Sequence, residues 1–161
     1  MKKYFGDYLG CLGIAMAIYA GIWMIACDKL GLISFAGFAG CTTYFASGKK
    51  NMAGIKTAAF TNVSGVFWGM AAILAGTYFA FPYSGAVYCA IISYFIIKQA
   101  EIAWFQFIPD AYVGCFITFA CNGAWITVII SLLLGIVIGY ITEITGTWIY
   151  NKFGNSSITT S

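Results

Sequence analysis

The chain has 161 residues, 61% of them hydrophobic and only 8% charged, with a net charge of +3. Soluble domains carry about 25% charged residues, so this composition excludes one and describes a chain that lives in lipid. At about 20 apolar residues per crossing, the length accommodates six short helices with tight connections and excludes a separate soluble domain.

Lys2, Lys3 and Asp7 precede an apolar stretch too long for the core of a cleavable leader, so the first segment is expected to stay. Apolar runs then predict membrane segments at Tyr8 to Cys27, Leu30 to Ser47, Thr57 to Ala80, Ser84 to Ile97, Ile102 to Cys121 and Ala124 to about Thr142. Breakers and charges separate them at Asp28-Lys29, Gly48 to Asn51, Phe81-Pro82-Tyr83, Lys98 to Glu101 and Asn122-Gly123. Six crossings place Lys2, Lys3, Lys49, Lys50, Lys56, Lys98 and Lys152 on one side and only Lys29 on the other. By the positive-inside rule both termini are then cytoplasmic. Trp23, Trp104, Trp125 and Trp148 fall near the expected interfaces, and Trp68 near mid-segment. The membrane domain covers residues 1–150, and 151–161 form a polar tail.

An internal echo organises these segments. Phe38-Ala39-Gly40-Cys41 through Phe45-Ala46 returns as Tyr112-Val113-Gly114-Cys115 through Phe119-Ala120, and the same register lays Gly65 on Gly139. The halves 1–80 and 81–150 would each hold three segments and so lie upside down relative to each other. Inverted repeats are a transporter architecture, with the solute site where the halves meet. Gly65 and Gly69, and Gly135 and Gly139, sit one turn apart and mark close helix packing. Gly40 and Gly114 stand at echoed positions and join that packing set.

The second and fifth segments look broken. Pro109 biases its predecessor away from helix and suits a helix start, and thirteen residues from there to Cys121 span only about 20 Å, short of a roughly 30 Å hydrocarbon core. Half-helices direct free amides into the membrane interior; a simple kink is the alternative. Asp110 stands at this break. At mid-membrane it would cost a few kcal/mol or more unless functional, paired or protonated. As an interfacial first-turn residue it would be stabilised by the helix dipole, the preferred reading because no partner is evident.

Ser34, Thr42, Thr43, Asn62, Ser64, Thr118 and Asn122 supply polarity for a path, with Trp68 among the candidate lining residues; hydroxyls in lipid also serve their own backbones. Phe45 and Phe119 are echoed partners that would meet as an apolar gate if the repeat is real, and lipid- or core-facing rings otherwise. Glu143 reads as an interfacial charge, and Lys49, Lys50 and Lys56 as a basic loop suited to anionic lipid without nucleic acid. Six scattered cysteines without a C-x-x-C pair, and no histidine, imply no metal or cofactor.

The blocks Leu30 to Ala46, Ser64-Gly65-Val66-Phe67-Trp68 and Phe107 to Cys115 together resemble the YcdZ-like family of bacterial inner-membrane proteins over nearly the whole chain. The resemblance implies a small polytopic inner-membrane protein and carries no catalytic residues. It also implies a small residue such as glycine after Pro109, where this chain has Asp110.

The expected function is a passive channel or facilitator for a small polar or neutral solute. Alternatives are an ion-coupled transporter using Asp110 and a non-transporting scaffold subunit. An enzyme is not expected, since no acid–base pair or nucleophile arrangement is visible. Six short helices enclose little, so a homo-oligomer is expected.

Overall fold

The computed structural model describes residues 7–154 and is entirely helical. The helices are α1 (Tyr8–Leu30), α2 (Ser34–Ala46), α3 (Asn51–Tyr78), α4 (Ser84–Lys98), α5 (Ile108–Ala120) and α6 (Trp125–Phe153), with 3-10 turns at Gln99–Glu101 and Ala103–Phe105 between α4 and α5. Among the described residues, α1, α3 and α6 are long and apolar enough to cross a bilayer. The tail from residue 155, with Lys2 and Lys3, lies outside the described residues.

Local chemistry sets the ends. The Asp7 carboxylate accepts from the Gly10 amide at 2.9 Å and caps α1. Gly31, at φ +65°, closes it by returning its amide to the Cys27 carbonyl, a left-handed stop that a Cβ would disfavour. Leu32 and Ile33 then bring the chain to α2, and the Ile33 amide donates to the Ser131 hydroxyl of α6 at 3.0 Å. Pro109 sits in the first turn of α5, where its missing donor costs nothing.

Apolar runs and helices therefore do not coincide. The run at Leu30 begins with the last residue of α1 and a turn, the run at Ile102 with a 3-10 turn, and α2 and α5 start only at Ser34 and Ile108. The fifth segment is not a kinked helix: a strap of two 3-10 turns precedes a fresh start. Conversely, α3 begins at Asn51 rather than Thr57, and α6 runs to Phe153 rather than Thr142. Hydropathy marks what contacts lipid, whereas helical hydrogen bonding continues where polar residues line the helix.

The two short helices pack mainly on long helices distant in sequence. On α5, Ala111 and Cys115 meet Gly65 and Gly69 of α3 in step, so those helices run parallel. On α2, Gly37 and Cys41 meet Gly135 and Gly139 of α6, again in parallel. α1 lies antiparallel to α6, with Tyr8 against Tyr150 and Leu12 against Gly146. α4 lies antiparallel to α3, with Phe95 and Gln99 on Trp68 and Tyr88 bonded to the Phe79 carbonyl. α3 and α6 cross antiparallel in the middle, where Val66 meets Val128 and Leu132, and Ala58 meets Ile136. Lys49, Lys50, Lys56 and Lys152 consequently lie toward one end of the bundle and Lys29 toward the other, whereas Lys98 sits beside mid-α3, where its neighbour Gln99 bonds Ser64 and Trp68.

Glycine permits these crossings. A Cβ on Gly65 would overlap the Ala111 carbonyl and stand 2.9 Å from the Cys115 amide nitrogen; one on Gly135 would stand 2.6 Å from the Gly37 carbonyl carbon. Gly40 faces the Leu132 carbonyl and Gly114 the Asn62 carbonyl just as closely. Such backbone-to-backbone approach is a recurrent way for helices to associate in lipid. Trp23, expected at an interface, is instead buried, its indole over Gly37 and its N–H donating to the Ser34 carbonyl at 3.0 Å. A large amphipathic ring fits there because the glycine leaves room.

Candidate functional site

Where α2 and α5 cross α3, polar side chains are sealed in the bundle. Asn62 of α3 is 0% exposed; its amide nitrogen donates to the Thr43 hydroxyl and to the Ala58 carbonyl, each at 2.8 Å. Thr43 passes its own proton to the Gly40 carbonyl at 2.8 Å. The Asn62 side-chain oxygen accepts nothing from the described residues. A buried acceptor left empty costs about 1–3 kcal/mol, and Asn62 carries that cost in the middle of the protein.

One position before it, Thr61 turns toward α5. Its hydroxyl donates to the Thr57 carbonyl and lies 3.5 Å from Oδ2 of Asp110. Asp110 is in the first turn of α5, as expected, but at 1% exposure its carboxylate is enclosed by the bundle rather than open to its surroundings. The reason is that α5 begins beside Gly65, which lets the helix start tuck against α3 rather than lie on the surface. Thr118 is also buried, but its hydroxyl serves the Gly114 carbonyl at 2.8 Å and offers nothing further.

Other candidates fall elsewhere. Ser64 and Trp68 belong to a chain that ties the 3-10 strap to α3: the Trp68 indole donates to Gln99 Oε1 at 2.9 Å, Gln99 Nε2 donates to Ser64 Oγ at 3.1 Å, and Ser64 donates to the Thr61 carbonyl at 2.8 Å. Phe45 and Phe119 are 39% and 42% exposed, on outward faces of α2 and α5, so they form no gate. The faces that point inward at the crossing carry Gly40 and Gly114, because only residues without bulk fit there. Thr42 is exposed and bonds its own helix at the Phe38 carbonyl. Asn122, at φ +50°, is exposed in the turn after α5 and does not reach the cluster.

A second polar contact was not expected. Tyr44 donates to Glu143 Oε2 and accepts from the Asn51 amide at 3.1 Å, joining α2, α6 and the first turn of α3. Glu143 is 9% exposed, enclosed beside Tyr44 rather than open to its surroundings, and α6 continues about three turns beyond it. Thr61 and Tyr44 are the functional-looking residues that sequence reading passed over. For Thr61 the signal was helical spacing, since the buried positions of α3 include Ala58, Thr61, Asn62, Gly65, Val66, Gly69 and Ala72. No group of three or more Cys, Asp or Glu residues that could hold a metal ion occurs among the described residues.

Apolar helices packed through glycine, with hydrogen-bonded polar residues confined to the interior, define an all-α integral membrane protein. Residues 13–147 match a family described as "Protein of unknown function (DUF1097)", and the chain belongs to that family. Among its relatives is the "Inner membrane protein YcdZ" of Escherichia coli strain K12, 36% identical over 140 residues that cover 86% of this chain and 85% of the relative. The protein of that name from Salmonella typhimurium strain LT2 is 33% identical over 152 residues, 93% of this chain and 94% of the relative. The "Uncharacterized protein YahC" of Escherichia coli strain K12 is 28% identical over 153 residues, covering 86% and 90% of the two chains. No solved structure matches the chain.

Proposed function

We propose that the protein is a passive facilitator for a small, polar, uncharged solute in the bacterial inner membrane, built as two inverted three-helix halves with both termini cytoplasmic. The observation that carries this reading is the vacant Asn62 oxygen, a buried acceptor beside the Thr43 hydroxyl. A solute bearing N–H or O–H groups would complete it, as small amides, ammonia and polyols do.

Duplication is supported by burial. The buried residues of α2 are Ala36, Gly37, Gly40, Cys41, Thr43 and Tyr44; those of α5 are Asp110, Ala111, Gly114, Cys115, Ile117 and Thr118, the same six positions 74 residues later. In the long helices the shift is 70, so that Asn62, Gly65 and Gly69 correspond to Leu132, Gly135 and Gly139. Gly65 thus pairs with Gly135, one turn from the register that the echo suggests. Each half contributes the short helix that crosses the other half's long helix, which is the exchange expected of paired repeats around a central site.

The burial of Asp110 favours a second reading, ion-coupled transport, since an acid enclosed in a membrane protein commonly serves a proton or cation path. Uptake by proteoliposomes of urea-sized amides, ammonia and polyols, with and without an imposed proton or sodium gradient, tests both. Saturable flux without a gradient supports the facilitator; flux only with a gradient, lost in Asp110→Asn, supports coupling. No flux from folded, inserted protein sinks both and leaves a scaffold that binds a partner through its glycine faces.

A further inference from the structure

At the lysine-rich end of the bundle, away from the Asn62 cluster, a cavity of about 260 Å³ opens between the start of α3 and the 3-10 strap. Lys49, Ala53, Lys56 and Thr57 line one wall, Ala103 and Trp104 the other. Trp104 is held by edge-on packing against Phe60, ring centroids 5.0 Å apart. The Lys49 ammonium donates to the Thr57 hydroxyl at 3.1 Å. Two cations therefore share one concave site with a hydroxyl and an indole.

No acid lines that site. The chain has five acids, and the acid on the strap, Glu101, is already paired with Lys98. With Lys49 and Lys56 both lining it and no carboxylate to balance them, the cavity carries unneutralised positive charge. An anion balances it. The cavity is smaller than usual ligand pockets of about 300–1,000 Å³, which fits a compact group rather than a whole metabolite. Lysine acts on phosphate as a point charge, without the planar selectivity of arginine.

We propose that Lys49, Lys56 and Thr57, with Trp104 on the opposite wall, form a binding site for a phosphate group, borne by an anionic lipid headgroup or by inorganic phosphate. Lys50 is its neighbour in sequence but does not line the cavity, which separates a built site from a merely basic loop.

The test uses the full chain in phosphatidylcholine nanodiscs, with native mass spectrometry to follow added phosphatidylglycerol and titration calorimetry to follow inorganic phosphate. The variants are Lys49→Gln/Lys56→Gln and, separately, Lys50→Gln; melting curves confirm that both fold, as exposed lysines allow. Retention of phosphatidylglycerol that drops roughly thirtyfold in the double variant and little in Lys50→Gln supports a headgroup site. Phosphate binding with the same variant pattern, and displacement of the lipid by phosphate, supports the site with the free ion as its ligand. Equal losses in Lys50→Gln and the double variant, or no binding of either probe, overturn the proposal.

Discussion

Replacing Asn62 with leucine separates a functional asparagine from a structural one. The variant loses the bonds to Thr43 and Ala58, worth about 0.6 kcal/mol each by the average for side-chain bonds in membrane proteins. It also removes the unfilled acceptor, which returns about 1–3 kcal/mol. Thr43 keeps its proton on Gly40, so no new orphan donor arises. The expected result is unchanged stability or a gain of about 1 kcal/mol, a rise of roughly 2–4 °C in a melt, with flux abolished. Unfolding in bicelles by added dodecyl sulfate gives the first quantity and proteoliposome uptake the second. A loss above about 2 kcal/mol would show that the Asn62 oxygen has a structural partner and remove the argument for a solute; full flux from the stable variant would remove it as surely.

Gly65→Ala and Gly114→Ala should each lose about 2 kcal/mol or more in the same unfolding assay, since backbone on α5 and α3 respectively blocks the new methyl. Gly13→Ala, with nothing nearby, should be neutral or stabilising by up to about 1 kcal/mol; equal effects at all three would refute the close crossings. Tyr44→Phe keeps the ring but deprives Glu143 and the Asn51 amide of a partner, so a loss of about 2 kcal/mol is expected. Glu143→Gln, which retains an acceptor for the Tyr44 hydroxyl, should lose less, and the reverse order would count against the assigned bond. Trp23→Phe should cost about 1 kcal/mol through the missing bond to Ser34, with no change in membrane insertion as judged by carbonate extraction.

Composition alone determined that the chain belongs in a membrane, because 8% charge cannot clothe a soluble surface. The Gly-Cys echo pointed at α2 and α5, and Pro109 at a helix start, since each is a local property of the backbone. Tertiary structure decided the rest. Which residues near a break are buried depends on what packs over them, and Gly65 lies 45 residues from the Asp110 whose helix it admits. Phe45 and Phe119 repeat in sequence yet face outward, because an echo preserves spacing, not direction. Thr61 looked like any hydroxyl in lipid until α5 brought a carboxylate beside it. Side chains acquire their partners only when distant helices close on one another, and that step is written in the crossings, not in the order of residues.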